Sequence, residues 1–337
     1  MSTTAGYFDE TVLNNIRRKA GEIMFDDRIK QQYIPKYDIL KAVQAVQTAS
    51  VYPSLARNKK KVSVDIMWEN VCGLSAEDNV DCEIGGTESS TNLDTYTLTY
   101  EKVVNFSADE NEFDDNEFDI ESSIAKMFLT ADKTLTESFA QYCTSQLEAF
   151  RGWNTLGTDG KGVWSSPDTY IAAAYWNADL AAYFARAAID NRFTSPVMLS
   201  GKNLFEQMYV ANAKSANANG KGDAILYGDM NMYFDLFNID SVNDPDFKTY
   251  MLSMGSLAMA HRALHPDTPE VLDPFTRYKI TSQFLPFEYD VYYKTECVSD
   301  RIKHSWKVKL VADLFNNPTG CDDNNTGVLS FVCGTAS

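Results

Sequence analysis

The stretch DIESSIAKMFLTADKTLTESFAQYCTSQLEAFRG, residues 119–152, decides the fold class because it predicts one very long helix. Apolar side chains recur there at every third or fourth position, and neither proline nor glycine interrupts them. Asp119 is a suitable N-cap residue, and Gly152 stands where a helix commonly ends. A helix from Ile120 to Arg151 would be ~48 Å long, against an average length of ~11–12 residues. Such a helix is expected to act as a spine onto which other elements pack.

In two segments before this helix, apolar and polar residues alternate with a period of two. Residues 62–68 and 96–100 each place apolar side chains on one face and polar side chains on the other. The long polar stretch between them contains Gly73, Gly85 and Gly86. A long loop inside a compact domain is uncommon unless it has a function. The pattern therefore predicts a protruding hairpin that reaches a partner.

The segment before the hairpin predicts a helical arm. Thr11–Gln32 is expected to be one charged helix, ended by Pro35, and Tyr37–Thr48 a second, short helix before Pro53. The arm has too few large apolar residues to form its own core. We therefore expect it to lie against another part of the molecule or another molecule.

The second half of the chain predicts alternating short helices and strands. Helices are expected at Tyr170–Ile189, Lys202–Ala213 and Met254–Leu264, and strands at Pro196–Ser200, Ala224–Tyr227, Thr249–Ser253, Tyr289–Tyr293 and Trp306–Ala312. From Asn316 onward the polar composition predicts an exposed tail. The elements together indicate a mixed α+β fold.

The charge is distributed unevenly along the 337 residues. The net charge is −17, but residues 1–61 hold 11 Lys/Arg and 6 Asp/Glu, whereas residues 62–151 hold 4 and 20. The overall sign argues against a dedicated nucleic-acid-binding protein. A basic arm and an acidic middle can pair within one chain or between copies, because like-charged middles would otherwise repel. Simple solubility is the alternative explanation.

The sequence predicts neither a membrane span nor a secretory signal, since no long apolar run is present. Synthesis in a reducing cytoplasm is therefore expected. The six cysteines form no C-x-x-C pair and are expected to be small buried hydrophobic residues. A Cys321–Cys333 disulfide is the less favoured alternative.

The usual signatures of enzymes are missing from the sequence. It has no phosphate-binding loop, no dinucleotide-binding glycine motif and no nucleophile elbow, and it has three histidines. His261 and His265 are four residues apart, which on a helix would place both rings on one face. Arg262 occupies the position of the glutamate in H-E-x-x-H and would repel a cation, so a plain polar helix end is favoured over a metal site. No catalytic, cofactor-binding or metal-binding residue is predicted.

Two charged segments are candidates for contacts between subunits. The run from Asp109 to Glu121, called the acidic run below, has eight carboxylates, and Lys59–Lys61 forms a compact basic group. The acidic run can complement the dipole of the following helix, dock on a basic segment of a neighbouring copy, or bind cations. The lysines can be a solvated strand start, anchor the hairpin on a neighbour, or contact packaged DNA. The candidate interface residues are Lys59, Lys60, Lys61, Trp68, Asp109, Glu112, Asp114, Asp115 and Glu117.

The order of these elements over about residues 1–315 resembles the HK97-type major capsid protein family of tailed phages. The basic helical arm resembles the N-arm of that family, and the two strands with their glycine-rich excursion resemble its E-loop. FDIESSIAKM, residues 118–127, and its continuation to Phe150 are similar to its spine helix. PVMLSGKNLF, FNID and YMLSMGSLA, which begin at Pro196, Phe237 and Tyr250, are similar to pieces of its axial domain.

The resemblance implies a division into six segments. These are an N-terminal arm (1–56), an E-loop hairpin (57–107), a peripheral domain with the spine helix (108–160), an axial domain (161–285), peripheral return strands (286–315) and a polar tail (316–337). No motif for a covalent cross-link between subunits is present.

The resemblance also implies a structural function. Copies would form pentamers and hexamers of an icosahedral phage head that encloses double-stranded DNA without sequence specificity. Scaffold, portal and decoration proteins are expected partners, and assembly is expected in the host bacterial cytoplasm. The alternatives are an encapsulin-like compartment shell, a soluble enzyme or ligand-binding protein of α+β fold, and a monomeric accessory protein of the virion.

Overall fold

The protein is described here as a computed structural model covering most of the chain. The described residues are 10–53, 62–68, 92–109, 120–152, 162–165, 167–176, 180–193, 195–202, 204–205, 225–227, 230–239, 248–272, 274–298, 301–317 and 327–334. The α-helices are α1 Glu10–Phe25, α2 Asp27–Lys30, α3 Asp38–Val46, α4 Ile120–Phe150 and α5 Leu180–Asp190. The strands are β1 Ser50–Pro53, β2 Ser63–Trp68, β3 Asn92–Thr97, β4 Tyr100–Asp109, β5 Gly162–Ser165, β6 Asp168–Ile171, β7 Val197–Ser200, β8 Ile225–Tyr227, β9 Met230–Phe234, β10 Lys248–Leu252, β11 Leu257–His261, β12 Glu270–Leu272, β13 Phe275–Thr281, β14 Glu288–Val298, β15 Arg301–Asn316 and β16 Val328–Cys333.

The predicted α+β class is confirmed, and the described strands form three sheets. A six-stranded sheet has the order β11-β15-β14-β13-β12, with β4 also paired to β15. A seven-stranded sheet has the order β5-β6-β16-β10-β7-β9-β8, and a small sheet has the order β1-β2-β3. The six-stranded sheet and α4 form the largest core, and the other two sheets each have a smaller hydrophobic cluster.

Helix α4 confirms the predicted spine. It runs for 31 residues, and its buried side chains recur at helical spacing on the face that meets the six-stranded sheet. Phe128 of α4 meets Phe106 edge to face at 5.0 Å, and Phe106 stacks on Trp306 of β15 at 5.4 Å. Helix α1 lies along α4 and buries Leu13, Ile16 and Ala20. The arm therefore packs on the spine helix of its own chain.

The predicted hairpin strands are also confirmed, and β1 joins them. Residues of β2 pair antiparallel with β3 from Ser63↔Thr97 to Trp68↔Asn92. The apolar face of this sheet packs on Ala258 and Ala260 of β11 and Val311 of β15. These three strands, β1, β2 and β3, are called the hairpin base below. The hairpin base thus covers one end of the outer face of the six-stranded sheet, the face opposite α4.

Three predictions for the second half of the chain were wrong, and long-range strand pairing explains each of them. Met254–Leu264 is not a helix, because Gly255 adopts a φ of 76° and residues 257–261 pair with β15. The predicted helix Tyr170–Ile189 is reduced to residues 180–190, because β6 pairs with β16. The expected exposed tail contains β16, whose residues Val328–Val332 are buried between β6 and β10.

Strand β13 was not predicted at all, although it lies between β12 and β14. It belongs to the same sheet as the return strands β14 and β15, while its residues fall in the segment assigned to the axial domain. The division into six segments stays a prediction. The predicted helix Lys202–Ala213 lies largely outside the described residues.

Candidate assembly surfaces

Of the nine predicted interface residues, Trp68 and Asp109 belong to the described part of the chain. Lys59, Lys60, Lys61, Glu112, Asp114, Asp115 and Glu117 lie outside it. Asp109 is the last residue of β4 and is half-buried, with its Cα in register with Lys303 of β15. The acidic run therefore begins at the edge of the six-stranded sheet, beside a lysine.

Trp68 is an interior residue of its own chain. Its side chain is 1% exposed, its Nε1 donates to the Tyr96 hydroxyl at 3.0 Å, and the two rings meet edge to face. Burial raises the pKa of Tyr96, although the hydrogen bond from Trp68 opposes this shift. In the described chain Trp68 holds the hairpin base together and is not part of an exposed surface.

A buried carboxylate ties the hairpin base to the spine helix. Asp313 of β15 accepts hydrogen bonds from the Thr99 backbone and hydroxyl at 2.8 and 2.7 Å and from the Tyr142 hydroxyl at 2.6 Å. Thr99 lies between β3 and β4, and Tyr142 lies on α4. Burial and the adjacent Asp313 raise the pKa of Tyr142 to about 12. The root of the hairpin is thus fixed to the sheet and helix that carry it.

A second ionic group joins α4 to the seven-stranded sheet. Arg151 Nη1 lies 2.6 and 2.8 Å from the two carboxylate oxygens of Asp168 on β6. Lys248 of β10 lies 2.8 Å from Glu148 of α4, and the Tyr250 hydroxyl also donates to Glu148. Charge-assisted bonds of this kind are among the stronger polar contacts in proteins. The end of the spine helix is therefore fastened to two strands of the second sheet.

Asp132, which lies on α4, is a third buried carboxylic acid that connects this helix to a sheet. It accepts from Ser282 Oγ and the Tyr289 hydroxyl, both at 2.7 Å, and from the Gln283 backbone at 2.8 Å. Burial raises the pKa of Asp132, although these donors oppose the shift. The acid fixes the turn between β13 and β14 to the middle of the spine helix.

The outer face of the six-stranded sheet carries several lysines. Lys303 and Lys307 project from β15, and Lys294 projects from the neighbouring β14; these three residues are called the lysine face below. They border a groove of about 630 Å³ whose lining includes Phe275 and Tyr292. The hairpin base leaves this part of the sheet uncovered.

The two histidines considered as a metal pair are not on a helix. His261 ends β11, and its ring lies 4.8 Å from that of Phe287. His265 is in the following loop, where its Nε2 is 3.8 Å from Asp290 and its ring meets Tyr292 edge to face. Burial lowers the pKa of both histidines. Each ring packs against a different aromatic residue, His261 against Phe287 and His265 against Tyr292.

Within the described ranges, no group of three or more Cys, His, Asp or Glu side chains is arranged to hold a metal ion. The helices in those ranges are all too short or too polar to span a bilayer. Of the described cysteines, Cys143 is buried, Cys333 is half-buried and Cys297 is exposed. The expectation of buried cysteines therefore holds for Cys143 and is wrong for Cys297.

Sequence reasoning missed the lysine face, although the signal was present. Residues 303–310 read KHSWKVKL, and the alternation of His304, Trp306, Val308 and Leu310 defines the buried side of a strand. The same alternation places the lysines on the opposite side. The buried acids Asp132 and Asp313 carried no such signal, because their donors come from distant parts of the chain.

Comparison with known proteins gives matches in structure and none in sequence. No family model and no curated protein matches the chain. A structure from Mycobacterium phage Bobi is similar, with 15% identity, a TM-score of 0.41 and coverage of 89% of this chain and 91% of that chain. The capsid of cyanophage P-SCSP1u gives 10% identity, a TM-score of 0.44 and 90% coverage of both chains.

The capsid asymmetric unit of cyanophage Pam1 is also similar, with 13% identity, a TM-score of 0.43 and coverage of 89% and 92%. The chain is thus similar to phage capsid structures over most of its length.

Proposed function

We propose that this chain is the major capsid protein of a tailed phage, with an HK97-like fold. One observation carries the proposal: the helical arm, hairpin base, 31-residue spine helix, second sheet and return strands occur in the order that the sequence resemblance implies. The spine helix lies on the return strands β14 and β15 of the same sheet. In this proposal copies form pentamers and hexamers of an icosahedral head around double-stranded DNA.

The anchoring of the hairpin supports this role. An element that reaches over a neighbour must transmit force to its own subunit, and Asp313 joins the hairpin root to α4 through Thr99 and Tyr142. Many weak contacts repeated around a closed shell add up to a stable assembly. The proposal includes assembly in the host bacterial cytoplasm, together with scaffold, portal and decoration proteins.

The test is to express the chain alone and then with the scaffold protein of its phage, and to follow assembly by light scattering and negative-stain microscopy. We expect closed shells, or rings of five and six subunits, under at least one of these conditions. A chain that stays monomeric under both would overturn the proposal.

The proposal assigns the residues outside the described ranges a role in contacts between copies. Replacing Lys59, Lys60 and Lys61 by Glu is expected to impair shell formation while the subunit stays folded, because these lysines lose their attraction to the acidic surface of a neighbour. The matched control replaces the exposed Lys102 and Lys126 and the half-buried Lys30 by Glu, which changes the net charge equally. Normal shells from the first variant would remove these three lysines from the interface.

A further inference from the structure

We propose that the lysine face binds the acidic run of a second copy of this chain. The inference rests on the proposed function, since it requires contact between copies, and it names a receptor for the acidic run on the described surface. Three observations support it: the spacing of Lys303 and Lys307, the absence of an ion pair at these two lysines within the described ranges, and acids at the same spacing in the acidic run.

The lysine face follows the alternation of β15. Lys303, Ser305, Lys307 and Lys309 lie on the outer side, while the residues between them are buried against α4. Successive side chains on one side of a strand are ~6.8 Å apart. Lys294 of β14 stands opposite Ser305, so it continues the basic surface across the sheet.

The lysines of this face differ in their local contacts, and Lys303 has Glu296 and Asp109 in register on its two neighbouring strands. Lys309 is 2.8 Å from Glu101, and Lys294 pairs with Glu296. In the described ranges Lys303 and Lys307 form no ion pair, and Lys307 lies over the Tyr292 ring at 5.7 Å. Exposed cations are therefore concentrated on one sheet face of a chain whose net charge is −17.

The acidic run has the same period. Glu110, Glu112 and Asp114 are two residues apart, and Asp115, Glu117 and Asp119 repeat that spacing. In an extended segment, carboxylates four residues apart lie on one side at ~13.6 Å, which is the separation of Lys303 and Lys307 along β15. Glu110 with Asp114, or Asp115 with Asp119, can thus be placed beside these two lysines.

The groove adds an apolar component to this match. Its lining includes Phe275, which is 42% exposed, and Tyr292, and its volume is about 630 Å³. The acidic run carries Phe113 and Phe118 among its carboxylates. An aromatic side chain of the bound run can enter the groove while its neighbours pair with lysines, which distinguishes this occupant from a purely electrostatic one.

A second copy is favoured over the chain's own run. Within one chain the run connects Asp109 to Ile120, where α4 begins, and α4 packs on the inner face of the sheet. The run of another copy is not attached to this sheet and can approach its outer face from solvent. Contact of this kind also removes the repulsion that the acidic middles of neighbouring copies would otherwise experience.

The experiment measures binding of a labelled synthetic peptide, residues 108–121, to the full-length chain by fluorescence anisotropy. We expect Lys303→Glu with Lys307→Glu to weaken binding by about tenfold, because two attractions become repulsions. The matched control, Lys102→Glu with Lys126→Glu, has the same net charge, replaces exposed lysines outside the lysine face and should change affinity by less than about twofold. Thermal unfolding verifies that both variants remain folded.

Two further peptides define what is recognised. A peptide with its acids replaced by Asn and Gln should not bind, and one with Phe113 and Phe118 replaced by Ala should bind more weakly. Equal loss of affinity in the two charge-reversal variants would overturn the inference. Binding of a DNA duplex in place of the peptide, with the same dependence on Lys303 and Lys307, would also overturn it and assign the face to nucleic-acid phosphates.

Measuring shell formation distinguishes a failure of this inference from a failure of the proposed function. If the unmodified chain forms shells and both charge-reversal variants form them equally well, the lysine face is not an interface and the capsid function stands. If the unmodified chain forms no shells with or without scaffold but the peptide binds as expected, the lysine face is supported and the capsid function fails. Shells lost only in the Lys303→Glu, Lys307→Glu variant support both.

Discussion

The two faces of the six-stranded sheet are built from alternating residues of the same strands, yet they serve different purposes. On the inner face Trp306, Phe106 and Phe128 stack between the sheet and α4. On the outer face Lys303, Ser305 and Lys307 meet solvent beside a shallow groove. The inner face contributes the folding free energy, whereas the outer face can change with little effect on it. Substitutions on the outer face can therefore alter its contacts without unfolding the protein.

The largest expected effect on the free energy of unfolding comes from removing a large side chain from the inner face of the six-stranded sheet. Trp306→Ala should lower the free energy of unfolding by about 3–5 kcal/mol, since it leaves a cavity among Phe106, Phe128 and Tyr293. Lys307→Ala, one residue along the strand but on the other face, should change it by less than about 0.5 kcal/mol. Urea unfolding of both variants measures the contrast. Similar losses would mean that the two faces are not energetically distinct.

The next largest effect is expected where α4 joins the seven-stranded sheet, and it can be compared between a buried and an exposed ion pair. Arg151→Met should lower the free energy of unfolding by about 2–4 kcal/mol, because the buried carboxylate of Asp168 would lose its partner. The side chain of Arg151 is 15% exposed, whereas that of Arg186, which pairs with Asp190, is 60% exposed. Arg186→Met should therefore have an effect below about 0.5 kcal/mol. Calorimetry should show the transition of the seven-stranded sheet moving most; an unchanged profile would contradict the role of this junction.

The hairpin base gives a comparison of two carboxylates. Asp313→Ala should destabilise the protein by about 1–3 kcal/mol, because Thr99 and Tyr142 lose their acceptor. Asp65→Ala removes an exposed bond from Thr95 on the same hairpin and should cost less than about 0.5 kcal/mol. Hydrogen exchange at β2 and β3 reports whether the root loosens. Unchanged exchange in Asp313→Ala would show that the hairpin is held by its apolar contacts alone.

The smallest expected effect is a dependence of the free energy of unfolding on pH, which comes from His261 at the end of β11. Burial lowers the pKa of His261 below its ordinary value of 6.5, so the unfolded chain gains a proton that the folded chain does not. The free energy of unfolding should therefore fall as the pH drops below 6.5, by at most about 1.4 kcal/mol per pH unit for this group. His261→Phe keeps a ring beside Phe287 and should reduce the slope, with His265 contributing the remainder. An identical slope in the variant would contradict this origin.

The elements that the sequence predicted well are those determined by local pattern. The bounds of α4 were predicted to within one residue at its C-terminus, because thirty uninterrupted residues carry one helical period. Strand β2 was predicted equally well from its alternation. In both cases the buried face belongs to a regular element long enough to repeat its period several times.

The elements that failed are short and depend on distant partners. Leu257–His261 contains Leu, Ala and Met, which favour helices, but it forms a strand because β15 offers it backbone partners more than fifty residues away. Strand β16 was hidden because polar residues surround its six positions. Among the candidate interface residues, Trp68 could be recognised as a strand residue, but its burial depends on β11 and β15.

The position of β16 has a consequence for the timing of folding. The strand lies between β6, to which it is parallel, and β10, to which it is antiparallel, although both precede it in the chain. A growing polypeptide leaves the ribosome from its N-terminus, so β6 and β10 emerge while the place between them is still empty. The seven-stranded sheet can close only after residues 328–333 have been synthesised. Chains that stop before these residues therefore lack the strand that joins β6 to β10 in the finished sheet.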